Sequence, residues 1–369
     1  MNKKSFVLLL AAIGFFVWTG YAQKVAQTTF MINKGINVSA WLSQTSVTSG
    51  QARVDYFTQK DLEQLAALGF DHIRLPFNEN QLYTNDGERI PETFTLIDNV
   101  VEWCRKANMR IILDCHQTRV HDFSKNSSIT VFKNPEAQDS LVALWRKLSE
   151  EFKKYPNELA AYEILNEPNA KEDNSWNRVQ MRVYRALRKL EPSRIILMGS
   201  NKANKTSTFP QLEFPKDDPN IILSFHFYYP YIITHYKANF IKSLKDLDVP
   251  INYPGQLIAD SVLKSITDED MLKAAEKNNG VYNKEKLLEM IQPAIDVARK
   301  AGVRLHCGEF GVNFRYKDYS VLARYLKELV AIFKENNIPY TYWGYRKEFG
   351  VFTDSKKVKD QAVLEAITK

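Results

Sequence analysis

Eight times along the chain a short, nearly continuous apolar run gives way to a longer stretch in which apolar residues recur every three or four positions. The short runs cover 31–39, 70–77, 109–116, 159–167, 193–200, 220–228, 303–310 and 338–345. Their length and their content of isoleucine, leucine, valine and aromatic residues predict strands. The longer stretches predict helices after an N-cap at Thr58 and over 92–107, 136–154, 174–190, 285–301, 319–336 and 357–368, with a weakly marked helix in 201–215. Strands that are apolar on both faces must be covered on both faces, which is the mark of a parallel sheet. Eight strand–helix units in one domain predict an α/β fold, a closed (β/α)8 TIM barrel. The competing arrangement is a doubly wound open sheet, which would carry a glycine-rich phosphate turn after its first strand. The segment GINVS at 35–39 has one glycine and no such turn.

One connection departs from the rhythm. Between the sixth strand and the helix at 285–301, residues 230–284 form an insertion. Segments of this length within a compact domain are usually lids or small subdomains. This one leaves a strand's C-terminal end, where barrel active sites form, and is expected to wall the cleft. The remaining deviation is at the start. Lys3 and Lys4 precede an apolar stretch from Phe6 to Trp18, and Gly20 and Ala22 supply small residues before Gln23. Residues 1–22 therefore predict a signal peptide, and the stretch is short of the roughly 20 apolar residues that a membrane span needs. An N-terminal anchor is the alternative; no cysteine follows the stretch for a lipid to attach to. A single catalytic domain over 23–369 remains, exported to the periplasm or the outside.

Charge and cysteine content narrow the field. The formal net charge is +7, and loss of Lys3 and Lys4 lowers it to +5. No basic block accompanies it, so nucleic acid is not an expected partner. Cys104, Cys115 and Cys307 are an odd set at wide spacing, expected as free buried thiols rather than a disulfide framework.

Polar residues collect where the predicted strands end. Arg74 closes the second strand, Asp114 and His116 the third, Asn166 and Glu167 the fourth, His226 and Tyr228 the sixth, Glu309 the seventh and Trp343 the eighth. Side chains two apart on a strand share a face. Asp114 with His116, His226 with Tyr228, and Cys307 with Glu309 are thus expected to point inward and up. A buried arginine must be paired, and Glu163, four residues before Glu167, is expected to be a structural partner of Arg74 and Asp114. The two glutamates Glu167 and Glu309 are the candidate chemistry: paired carboxylates across a barrel mouth are what glycoside hydrolysis uses. Trp343 is the candidate sugar platform, because the C–H-rich face of a sugar packs on an aromatic ring. Trp41 and Trp176 are candidates for outer subsites.

The motifs KGINVSAWLSQ, GFDHIRLPF, IILDCHQ, YEILNEPN, LSFHFYYP, CGEFGV and YTYWGYRK occur in this order over nearly the whole chain beyond residue 22. The chain thereby resembles glycoside hydrolase family 5 of clan A. The start KGIN…WLSQ, with THYKANF and NYPGQ in the long sixth connection, resembles the bacterial endo-β-1,4-glucanases (cellulases) that carry an inserted subdomain there. The resemblance implies Glu167 as general acid/base and Glu309 as nucleophile. It implies that Asn166 holds the 2-hydroxyl of the sugar being cleaved. Arg74 and Tyr228 would hydrogen-bond around Glu309, while His116, His226 and Trp343 line the same subsite. The implied substrate is a β-glucan polysaccharide or oligosaccharide cut at internal β-1,4 bonds by double displacement. No cofactor, no metal, no membrane after loss of the signal peptide and a monomeric chain are expected.

Several readings stay open at this point. Mixed-linkage glucan, β-mannan, xyloglucan and β-1,3-glucan share the chemistry at the cleaved bond, and the choice lies in 117–135, 168–175, 201–215 and 230–284. A metal-dependent hydrolase could draw on Asp114, His116, His121 and Asp122, which lack a second cluster at ligand spacing. A catalytically silent carbohydrate-binding protein is compatible with the fold alone.

Overall fold

A computed structural model describes residues 30–124 and 130–369; the signal peptide expected at 1–22 lies outside the described residues. Eight strands close a barrel: β1 (Lys34–Asn37), β2 (His72–Asn78), β3 (Arg110–Gln117), β4 (Ala160–Glu163), β5 (Ile196–Gly199), β6 (Ile221–His226), β9 (Arg304–Phe310) and β10 (Tyr340–Tyr342). Among the described residues two further strands, β7 (Gly255–Gln256) and β8 (Val281–Tyr282), form a small antiparallel pair in the segment between β6 and β9. Every barrel pairing is parallel, and β1 closes the ring by pairing with both β10 and β2.

Outside 201–215 the long helices form where the sequence predicts, the last one beginning only at Gln361, and their ends show why. Pro91–Lys106 and Pro135–Phe152 start with proline in the first turn, where its missing N–H costs nothing. Asn134 caps the second by accepting from the Glu136 amide at 2.8 Å. Lys284–Ala301 starts at the Asn283 cap and stops at Gly302, whose φ of 67° lets the chain turn out of the helix. Their apolar faces, such as Leu141, Leu144, Trp145 and Leu148, join one continuous core between sheet and helices.

Inside the ring the side chains stack in layers. At the base, Phe30, Ile32, Ile112, Ala161, Ile195, Leu197 and Ile222 form a separate apolar cluster. Above it lie His72, Ser224, His306 and Thr341, all fully buried. Higher still, at the strand ends, is a charged layer centred on Arg74.

Three expectations need correction. The segment 201–215 contains no regular helix: it holds a four-residue turn with left-handed backbone at Lys202 and Ala203, then a 3-10 helix, Thr206–Gln211. Strand four stops at Glu163, so strict alternation is lost beyond it, and Asn166 as well as Glu167 reaches the site. Cys307 and Glu309 do not share a face by alternation. The β6–β9 pairing skips Gly308, with Phe225 opposite Cys307 and His226 opposite Glu309. A bulge re-aims side chains in this way. His306 thus lies in the interior layer, hydrogen-bonded to Thr341 at 2.8 Å. All three cysteines are free and buried.

Residues 230–284 fold into short helices, Tyr231–Thr234, Asp260–Ser265 and Glu269–Asn278, around the β7–β8 pair. Their apolar residues, including Leu244, Leu247, Ile251 and Leu257, belong to the same core as the barrel. Polar ties bind the segment to the helix Tyr319–Glu335: Arg324 Nε donates to Tyr253 O at 2.9 Å and Tyr253 Oη to Glu328 at 2.6 Å.

Candidate active site

Arg74 organises the mouth of the barrel. It is fully buried, and its guanidinium is spread over four strands. Nε and Nη2 grip Glu163 at 2.7 and 2.9 Å. Nη1 donates to Asn37 Oδ1 at 3.0 Å and to Glu309 Oε1 at 2.7 Å. Nη2 also reaches Asn166 Oδ1 at 2.8 Å and Asp114 Oδ2 at 3.1 Å. A buried cation is tolerable only when paired and hydrogen-bonded, and here the bidentate fork of an arginine meets both needs. Glu163 is the structural partner that the sequence suggests.

Glu309 is held from two sides. Arg74 binds Oε1, and Tyr228 Oη donates to Oε2 at 3.0 Å. Burial pushes its carboxyl up, while His226 and Arg74 oppose that shift. Glu167 sits differently. It has a φ of 45°, a left-handed backbone that side-chain-bearing residues rarely adopt. Its side chain is 19% exposed and lies 2.9 Å from His226 Nδ1. Burial raises its carboxyl to about 7, against the pull of His116 and Arg74. His226 Nδ1 is also 3.6 Å from Glu309 Oε2. One oxygen from each glutamate and a ring nitrogen of His226 all lie within 4.8 Å of one another.

The two histidines are neutral. Burial holds His116 and His226 down to about 4. His116 donates or accepts through Nδ1 with Asp114 at 2.7 Å, and its ring stacks on Trp343 at 5.6 Å and 8°. Trp343 is half-buried. Phe123 packs edge-on with His116 at 5.1 Å and 83°. Two buried polar atoms in this ring, the Asn166 Nδ2 donor and His116 Nε2, have no hydrogen-bond partner among the described residues. Unpaired buried polar atoms are costly, and both lie where hydroxyl groups of a sugar could satisfy them.

Of the residues expected at the site, Arg74, His116, Asn166, Glu167, His226, Tyr228, Glu309 and Trp343 converge. Trp41 and Trp176 do not. Each is 1% exposed, with the indole N–H bound to a backbone carbonyl, Arg53 O at 2.7 Å and Gly199 O at 2.8 Å. Their rings are core, closed to a sugar. Asn37, which bridges Arg74 and Gly308 O at 3.1 Å, is not among the residues expected from the sequence, although it ends strand one and falls under the same strand-end rule. His121, expected only as a metal ligand, lies in a loop with its Nε2 3.0 Å from Asn166 O.

The metal alternative fares poorly on geometry. Asp114 and His116 are bonded to each other and Asp114 to Arg74, while His121 turns to the Asn166 carbonyl. Glu167, His226 and Glu309 could surround a cation, but the Arg74 guanidinium already supplies positive charge at 2.7 Å from Glu309. Their contacts fit proton handling. Beside the ring, a polar pocket of about 390 Å³ opens between the ends of β2 and β3, lined by Asn78, Asn85, Gln117 and Arg119 among others.

Comparison with known proteins agrees with this geometry. The family model described as "Cellulase (glycosyl hydrolase family 5)" matches residues 22–348. Endoglucanase C of Acetivibrio thermocellus is 32% identical over 342 residues, covering 91% of this chain and 97% of that protein. Cellodextrinase A of Ruminococcus flavefaciens is 31% identical over 285 residues, 76% of each chain. Among solved structures, a hyperthermophilic endo-β-1,4-glucanase in complex with substrate superposes with a TM-score of 0.73 at 22% identity, covering 93% of this chain and all of that one. At that identity the likeness speaks for the fold.

Proposed function

Because the chain belongs to the cellulase family of glycosyl hydrolases, family 5, we propose that it cleaves internal β-1,4-glucosidic bonds of a β-glucan with retention of configuration, Glu309 acting as nucleophile and Glu167 as acid and base. The observation that carries the reading is that one oxygen of Glu167 and one of Glu309 lie within 4.8 Å of each other. Retaining enzymes place their carboxyl groups roughly 5–5.5 Å apart, whereas inverting enzymes leave roughly 6.5–9.5 Å for a water.

The surroundings support these roles. A nucleophile must be ionised, and Glu309 has a guanidinium and a phenol to stabilise its charge. A proton donor must hold its proton near neutral pH, and Glu167 titrates at about 7. In the first step a Glu309 oxygen bonds to the anomeric carbon, the bond to the leaving oxygen breaks, and Glu167 gives that oxygen its proton. The ester cancels the charge on Glu309, so Glu167 now prefers to stay ionised. In the second step it takes a proton from water, whose oxygen bonds to the anomeric carbon while the ester bond breaks. Asn166 Nδ2 and His116 Nε2 would bind hydroxyls of the sugar at the cleaved bond, and Trp343 would carry its apolar face.

The full-length endoglucanase relative supports endo action on a β-1,4-glucan. The test is a hydrolysis panel of soluble cellulose derivative, mixed-linkage glucan, β-mannan, xyloglucan and β-1,3-glucan, reading viscosity against reducing ends. A fast fall in viscosity at few new ends on the first two polymers is expected. Preference for mannan, xyloglucan or β-1,3-glucan, or viscosity falling only in step with new ends, would overturn the substrate or the endo assignment. Binding to these polymers without turnover would leave a silent carbohydrate-binding protein. We also read residues 230–284 as a wall of the cleft, and the chain as a monomer exported after cleavage before Gln23. N-terminal sequencing of the exported protein and its mass in solution check both points.

A further inference from the structure

After β5 the chain is tied closely to the turn that bears Glu167. The Asn201 side chain accepts from Ala170 N at 2.8 Å and donates to Ala170 O at 3.1 Å and to Asp173 Oδ1 at 2.7 Å. Ala203 N donates to Pro168 O at 3.0 Å. Between these ties Lys202, Ala203 and Asn204 have φ of 54°, 62° and 54°. Successive left-handed residues that carry a Cβ are strained, and they persist only where surrounding contacts hold them. The effect of the strain is to turn the Asn204 amide inward. It is 1% exposed and lies over Gly199, where a Cβ would meet Nδ2 at 2.6 Å. Any side chain at 199 would displace it.

The amide is directed at His226. Asn204 Nδ2 is 3.5 Å from His226 Nε2, and among the described residues it is the hydrogen-bonding partner of that nitrogen. The opposite nitrogen, Nδ1, faces Glu167 at 2.9 Å and Glu309 at 3.6 Å. A neutral imidazole carries one proton, and the contact at one nitrogen decides what the other presents. We propose that Asn204 is a positioning residue that fixes the tautomer of His226: its amide N–H donates to Nε2, so the ring proton sits on Nδ1, between the two carboxylates. This rests on the reading of Glu167 as acid and base.

The consequence is a pH window. The other charged or titratable groups around Glu167 and His226 include Arg74 on β2, Asp114 and His116 on β3, Glu163 on β4, Lys205 after β5, Tyr228 and Tyr231 after β6, and His306 and Glu309 on β9. Against that background, in which burial also raises Asp114 to about 7, an Nδ1–H donor favours negative charge on the glutamate pair. Remove it, and both carboxyls bind protons more tightly. The acid limb of kcat/KM, set by ionisation of the nucleophile, and the alkaline limb, set by loss of the donor's proton, both move to higher pH.

The experiment is nitrogen NMR on protein labelled at its six histidines, with His226→Gln identifying the resonance, together with pH–rate profiles. Wild-type His226 is expected as the Nδ1–H tautomer. Asn204→Leu, similar in size but without a donor, should shift the ring toward Nε2–H and move both limbs up by roughly one pH unit. Asn204→Asp, an acceptor, should place a proton on Nε2. A wild-type ring protonated on Nε2 would overturn the proposal, and so would a folded Asn204→Leu with unchanged tautomer and profile. If that variant fails to fold, the wild-type spectrum still decides. Failure of the underlying reading is distinguishable, since Glu167→Gln would then keep full activity whatever the tautomer of His226.

Discussion

Two polar layers lie one above the other inside the same barrel, both buried, and they are built on opposite terms. In the lower one every ring nitrogen is matched. His72 binds Asp71 at 2.7 Å and Thr341 at 2.9 Å, and His306 binds Thr341 at 2.8 Å and Ser224 at 3.4 Å. In the upper one Arg74 is saturated, yet Asp114 Oδ1, His116 Nε2 and Asn166 Nδ2 have no partners among the described residues, and Glu167 is held in a strained backbone. A polar network that is complete stabilises a fold and has nothing left to offer a ligand. One that is incomplete costs stability until substrate completes it. The barrel keeps these two tasks in separate layers.

The sharpest break of that comparison is at the nucleophile. Glu309→Ala should lower kcat for an aryl β-cellobioside by roughly 10⁴-fold or more, and azide should restore turnover with a glycosyl azide of inverted configuration as product. Next comes the proton donor. Glu167→Ala should cost roughly 10²–10⁴-fold on polysaccharide and far less on a substrate whose leaving group needs no proton, such as a dinitrophenyl glycoside. Since Glu167 must be protonated to act and titrates at about 7, wild-type kcat/KM should fall as pH rises through that value. Glu167→Gln should abolish this limb for the dinitrophenyl substrate.

The lower layer should answer in stability instead. Thr341→Val takes the shared hydroxyl from His72 and His306, and a denaturant titration should show a loss of about 1–3 kcal/mol with kcat nearly unchanged. A large fall in kcat without loss of stability would merge the two layers into one functional unit. The smallest effect is expected at Trp176. Trp176→Phe loses the bond to Gly199 O, at a cost of about 1 kcal/mol, and KM on polysaccharide should not move. A raised KM would return Trp176 to the cleft.

The barrel and most of the site are legible in the sequence for the same reason. Parallel strands covered on both sides are apolar throughout, so the polar residues that end them stand out. Arg74, His116, Glu167, His226 and Glu309 are all visible this way. What fails is alternation near those ends. The bulge at Gly308 puts Cys307 and Glu309 out of phase, and the early end of β4 lets Asn166 join Glu167. Neither follows from a period of two. Trp41 and Trp176 mislead because sequence shows that a tryptophan follows a strand but not which way its ring turns. Asn204 is hidden for a further reason: it reaches His226 through three left-handed residues of a turn, Lys202–Ala203–Asn204, that no periodicity marks.

The central claim is that Glu309 carries a covalent glycosyl group during turnover. A 2-deoxy-2-fluoro-β-cellobioside with a dinitrophenyl leaving group slows both steps, the second more, so the intermediate should accumulate. Peptide mass spectrometry should then find one fluoroglycosyl group per chain, on Glu309 within the segment CGEFGV. A label on any other residue would contradict the account, as would release of product with inverted configuration and no label on the chain.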